Sequence, residues 1–266
     1  MPFDDRPIGG FDSGIGGLTV ARLIRQQLPG EDIIYIGDTA HLPYGDKSAP
    51  ELLEYARRIM DFLTNNQVKA IVAACNTSSS VSIDLLRGRY SVPVIGVVKP
   101  GARAAVRVSK NGRIGILATE ATAKSSAYRR EILAMQGNAT VWEIPCPALV
   151  PAVESGRTGE PETRNLISAY LQKPLENQAD TIILGCTHYP YLRPVFEEVT
   201  RGQVTIVDPA VETVNELKQT LDRLRGYTNR ESGRARFFAT GPTDSLVNVG
   251  SRFYGRDLGR VEAVDI

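Results

Sequence analysis

The sequence predicts an α/β protein built from two pseudo-symmetric halves, each a mostly parallel sheet flanked by helices, with a cleft between them. Two observations carry this. Short apolar runs alternate with longer stretches of helical period, the pattern of βα units around a parallel sheet. In addition, two segments repeat one unusual design, a strand running into a small residue, a cysteine and polar followers: Ala70-Ile-Val-Ala-Ala-Cys75-Asn-Thr and Thr181-Ile-Ile-Leu-Gly-Cys186-Thr-His.

Taken in order, the expected strands are Pro7–Phe11, Asp32–Ile36, Ala70–Ala74, Val92–Val97, Arg113–Leu117, Thr140–Ile144, Thr181–Leu184 and Val204–Val207. Each is short, rich in Val, Ile or Leu, and bounded by turn residues. Helices fill the intervals. Leu52–Asn65 carries Leu53, Ala56, Ile59, Met60 and Leu63 at helical spacing, and Val211–Leu224 does the same with Val211, Val214, Leu217, Leu221 and Leu224. Beyond Arg225 the chain is basic and Gly-rich before one more apolar run, Phe237–Ala239. Upstream of each cysteine segment lies a further matched pair, Arg6-Pro-Ile-Gly-Gly-Phe-Asp12-Ser and Gly112-Arg-Ile-Gly-Ile-Leu-Ala-Thr119, at a similar offset. The chain therefore divides into a first domain of residues 1–98 plus 208–266 and a second of 99–207, joined near Val97–Lys99.

Composition removes several classes. Hydrophobic residues make 42% of the 266 and charged residues 23%, values that exclude a disordered or fibrous chain. A net charge of +1 gives no electrostatic case for nucleic acid or an anionic membrane surface. The longest strongly apolar stretch, Val92–Val98, is far short of the roughly 18 residues a membrane span requires. The N-terminus lacks the pattern of a signal peptide, and three cysteines without a C-x-x-C pair make no disulfide framework. A cytoplasmic, reducing setting is expected, where thiols stay free.

The chemistry centres on Cys75 and Cys186. In open α/β sheets ligands sit beyond the carboxyl ends of the strands, and both cysteines are expected there, each opening a helix. The positive end of that helix would favour a thiolate, and Asn76, Thr77, Thr187 and His188 supply donors for a carboxylate. If the halves face one another, one thiolate can take a proton from one face of a carbon while the opposite thiol donates to the other. The outcome is inversion at an acidic C–H centre, by a racemase or epimerase without a cofactor.

Other readings stay open. Cysteine at a strand end also packs as a small hydrophobe, and Cys146, in Ile144-Pro-Cys-Pro, is assigned to structure alone. Cys186 and His188, completed by Asp12 or Cys75, would be an unusual metal site in spacing, and no metal is expected. A Cys186–His188 hydrolase would leave Cys75 unexplained. An amino-acid sensor or a thiol redox switch are non-catalytic options. The turn Asp12-Ser-Gly-Ile-Gly-Gly-Leu is not a nucleotide loop; its glycines allow close backbone approach, with Asp12 and Ser13 facing the cleft. Asp12 there suits a substrate ammonium or draws a proton from a thiol. Asp38-Thr-Ala-His-Leu-Pro-Tyr-Gly45 is a loop whose Tyr44 can bind a polar ligand, and Glu154 either pairs with His188 or is solvated.

These motifs, Phe11-Asp-Ser-Gly-Ile-Gly-Gly-Leu-Thr-Val20, Asp38–Gly45, Ala74-Cys-Asn-Thr77 and Leu184-Gly-Cys-Thr-His-Tyr-Pro190, resemble in register the glutamate branch of the cofactor-independent aspartate/glutamate racemases. The resemblance runs from about Ile8 to Pro209 and more loosely beyond. It implies interconversion of L- and D-glutamate for peptidoglycan synthesis, no cofactor, and often a homodimer. It also implies that Cys75 takes the proton from D-glutamate and Cys186 from L-glutamate. Asp12 would assist Cys75 and His188 would assist Cys186, with Glu154 behind His188. Asp12, Ser13, Tyr44, Gly45, Asn76, Thr77, Thr119, Thr122, Thr187 and His188 would contact the substrate. Lys99 and Tyr191 depart from the commoner residues of that family, away from the chemistry.

Overall fold

The computed structural model describes residues 3–244 and 246–266. Its strands, in chain order, are β1 Ile8–Asp12, β2 Ile33–Gly37, β3 Ala70–Ala73, β4 Val94–Gly96, β5 Arg113–Ala118, β6 Thr140–Pro145, β7 Thr181–Gly185, β8 Thr205–Val207, β9 Ala235–Ala239 and β10 Val261–Ala263. They form a six-stranded sheet, β10-β9-β2-β1-β3-β4, and a four-stranded sheet, β6-β5-β7-β8. Every neighbouring pair is parallel. The eight expected strands are all present, with no end moved by more than two residues. The run at Phe237 forms β9; β10, three residues at the sheet edge, was too short to show any period.

Both sheets contain one winding. The first strand of each unit (β1, β5) has the second on one side and the third on the other. Strand order thus reverses between β1 and β3 and between β5 and β7, where crevices open beyond the carboxyl ends. Cys75 follows β3 and Cys186 follows β7. The part built on the six-stranded sheet is called the first half below, and that on the four-stranded sheet the second.

Helix Ala49–Asn65 starts three residues before the expected apolar stretch because Ser48 donates from its backbone N–H to Glu51 at 2.9 Å, a reciprocal cap. Its core face uses Ala56, Ile59, Met60 and Leu63 with half-buried Leu53 packed against them, and Leu52 is buried as well. Helix Pro209–Leu224 is capped by Asp208, which accepts from Ala210 N–H at 3.0 Å. Val214, Leu217 and Leu221 are buried, but Val211 and Leu224 are 43% and 57% exposed. Val211 lies about a third of a turn off the buried stripe, and Leu224 ends the helix beyond it. The expected joint at Val97–Lys99 is the start of helix Val98–Val108, so the chain passes between sheets through regular structure.

One continuous apolar cluster spans both sheets, from Ile8, Ile33, Tyr35 and Val72 to Leu117, Ile182, Leu184 and Ile206. Two further clusters cover the sheets separately, one around Phe11, Ile36 and Ile59 and one around Ile114, Ile116 and Ile132. The shared cluster fixes how the two carboxyl-terminal crevices face each other. Among the described residues no helix is long and apolar enough to cross a membrane.

Candidate active site

Asp12 ends β1 fully buried. Its Oδ2 accepts from Gly14 N–H at 3.1 Å, while Oδ1 has no hydrogen-bond partner among the described residues. The turn that follows is glycine-rich for steric reasons at two positions. A Cβ on Gly17 would stand 2.5 Å from Asp12 Cβ, and one on Gly16 would stand 2.2 Å from Thr187 Oγ1 and 2.7 Å from His188 Nδ1. Gly16 therefore lets the first half's turn press directly on the second half's Cys186-Thr187-His188 segment.

Cys75 caps the six-residue helix Asn76–Val81, and its thiol lies 3.9 Å from Ser13 Oγ. Burial, reinforced by the Asp12 carboxylate, pushes this thiol up from its ordinary 9.0 to about 12. This corrects the expected thiolate: so short a helix end does not outweigh desolvation plus a neighbouring negative charge.

The second thiol has different surroundings. Pro190 and Pro194 make Cys186 lead into a single 3-10 turn, Tyr189–Leu192, and the α-helix begins only at Arg193. The expected helix N-terminus is absent there, and a cation takes its place. Cys186 Sγ is 3.8 Å from His188 Nδ1, and His188 Nε2 is 3.1 Å from Glu154 Oε1. Burial opposes charge on His188, but its bonds to Cys186 and Glu154 prevail and raise it from 6.5 to about 10. Glu154, on helix Leu149–Glu154, is both paired and 44% exposed, so the two readings of it coexist. Phe253 sets its ring edge-on to His188 with centroids 5.5 Å apart.

Bonds between the halves close the floor of the site. Thr77 Oγ1 lies 2.9 Å from Thr119 Oγ1 and 3.4 Å from Thr122 Oγ1. Thr119 in turn caps helix Glu120–Ser125. The Asp38–Gly45 loop is held from behind: Tyr44 and Thr240 hydroxyls donate to Asp38, and His41 Nδ1 contacts it at 2.8 Å.

A cleft of about 480 Å³ opens above this floor. Of the expected residues, Ser13, Tyr44, Gly45, Cys75, Asn76, Thr77, Thr119, Glu154, Cys186, Thr187 and His188 line it. Asp12 and Thr122 do not: both are buried, Asp12 beside Cys75 and Thr122 next to Thr77. Cys146 forms part of the wall, with its thiol 3.3 Å from the Ile144 carbonyl. Leu42, Pro43, Pro147, Val150 and Pro151 add an apolar rim that no sequence period marks. Among the described residues no three His, Cys, Asp or Glu side chains converge as metal ligands would. The polar lining combines hydroxyl and amide groups and His188 with the carboxylates of Asp46, Glu120 and Glu154, and both Cys75 and Cys186 contribute to the same cleft.

The chain is similar to known racemases in sequence and in fold. The Asp/Glu/Hydantoin racemase family model matches residues 21–217. A glutamate racemase of Desulforudis audaxviator is 48% identical over 259 residues, covering 94% of each chain. A glutamate racemase isoform of Bacillus anthracis has the same fold at a TM-score of 0.94, with 36% identity and 98% of each chain covered. The glutamate racemase of Francisella tularensis, solved in complex with D-glutamate, matches at a TM-score of 0.92 and 33% identity over 98% of each chain.

Proposed function

The chain belongs to the Asp/Glu/hydantoin racemase family, and from that premise we propose that it interconverts L- and D-glutamate by proton transfer between two thiols. The observation that carries the reading is the single cleft lined by both Cys75 and Cys186, each placed at the strand reversal of its own sheet.

Starting from L-glutamate, the Cys186 thiolate, paired with the His188 imidazolium, takes the Cα proton. Negative charge spreads onto the substrate carboxylate, which Asn76, Thr77, Ser13 and Thr187 receive with fixed donors. The Cys75 thiol then gives its proton to the opposite face, leaving D-glutamate, a Cys186 thiol and a Cys75 thiolate. Asp12 takes up or returns the proton of Cys75, and Glu154 orients His188. The reverse reaction runs from the second protonation state. Held protonated by burial and Asp12, Cys75 makes the resting enzyme the form ready for the L-isomer.

The two working units are residues 1–98 with 208–266, and 99–207, each carrying one of the two reacting thiols, Cys75 and Cys186. The product serves peptidoglycan synthesis in the cytoplasm, and the same reading gives a homodimer, which sedimentation tests. The decisive experiment follows optical rotation of L- and D-glutamate with purified protein and no added cofactor, alongside aspartate. In deuterated water, label should enter the product before the recovered substrate. Equal early labelling of both would defeat the two-thiol reading, and turnover of aspartate alone would move the substrate.

A further inference from the structure

Tyr128 has no part in the chemistry above, yet it makes a buried bond to a cleft residue. It lies on helix Ala127–Met135 of the second half, fully buried, and its hydroxyl donates to Asn76 Oδ1 of the first half at 2.7 Å. An asparagine amide can turn end for end, and the two orientations present opposite faces to a ligand. With Oδ1 on the phenol, Nδ2 is turned away; it has no protein partner among the described residues and is not walled in. Reversed, the amide could still donate to the phenol oxygen, but the buried O–H would lose its one acceptor. Burial, with Asp208 and Cys186 nearby, also holds the phenol well above its ordinary 10.0, so it remains a donor.

We infer that Tyr128 is a positioning residue that locks the Asn76 amide with its NH2 group toward the cleft, as a fixed donor for the substrate carboxylate. Because the bond joins the two halves, the donor is oriented only when they are seated together. The inference rests on the racemase reading for the identity of the substrate.

A double-mutant cycle in the racemisation assay tests it. Tyr128→Phe should raise KM for both enantiomers about tenfold, with kcat changing less. In an Asn76→Ala background the same substitution should add less than about twofold, because Tyr128 acts only through that amide. Independent, multiplying effects would overturn the role. If Tyr128→Phe does not fold, wild-type protein decides: the Asn76 side-chain NH2 resonance, identified by its loss in Asn76→Ala, should move when D-glutamate is added. An unmoved resonance would mean that the amide faces the other way. Wild-type inactivity toward glutamate would sink the racemase reading instead, and is thereby told apart.

Discussion

The two thiol sites have the same topology and opposite electrostatics. Each cysteine follows the third strand of a β2-β1-β3-β4 type unit. Cys75, however, sits beside a buried carboxylate, whereas Cys186 sits beside a buried imidazole that Glu154 helps to keep charged. Duplication of backbone therefore did not duplicate chemistry. An acid of one type next to each thiol would leave both protonated or both charged, and neither state can pass a proton through a substrate. The difference between the halves is the asymmetry that the proposed proton transfer uses.

The largest test removes the sulfur atoms. Cys75→Ser and Cys186→Ser should each lower kcat by at least about 10²–10⁴-fold, read by circular dichroism. Full activity in either would reduce the pair to one base. Replacing the neighbours comes next and separates the halves. His188→Asn should lower kcat/KM about a hundredfold, by the same factor for both enantiomers because they have equal free energy in water. The asymmetry should emerge in the Cα-deuterium isotope effect, larger with L-glutamate, whose proton goes to Cys186. Asp12→Asn should act on the other thiol, so that alkylation of Cys75, followed by mass spectrometry, begins at lower pH than in the wild type.

A smaller effect concerns pH and stability. His188 is raised from 6.5 to about 10 in the fold, so its charged form is what folding favours. Its contribution is whole below pH 6.5 and disappears as pH rises through about 10. The basic limb of kcat/KM should fall near there, and the wild type's margin in Tm over His188→Asn should shrink across the same interval. A constant margin would mean that the imidazole is neutral in the fold. Glu154→Gln should be mildest, costing less than about tenfold in kcat/KM, since a half-exposed carboxylate is partly screened. A loss as large as that of His188→Asn would show that Glu154 sets the charge by itself.

Much of this was legible in the residues alone. Val, Ile and Leu runs between turn residues marked the strands, because a strand buried on both faces must be apolar throughout. The repeated cysteine segments marked the two halves, because a rare residue at one place in a repeated unit is hard to explain by packing alone. Helix ends were less visible: the start of Ala49–Asn65 depends on Ser48 and Glu51, which carry no apolar period. The apolar rim at Leu42, Val150 and Pro151 was invisible for a similar reason, being scattered over separate loops.

Amino-acid order by itself determined the parallel α/β units, the two thiols and the polar residues that follow them. Tertiary structure decided which groups surround each thiol: that Asp12 is buried beside Cys75, that His188 turns back onto Cys186, and that Tyr128 crosses to Asn76. Local pattern reports what one segment buries, whereas a proton's affinity depends on charges and solvent brought within a few ångströms by distant parts of the chain. That proximity is a property of the shared core between the sheets.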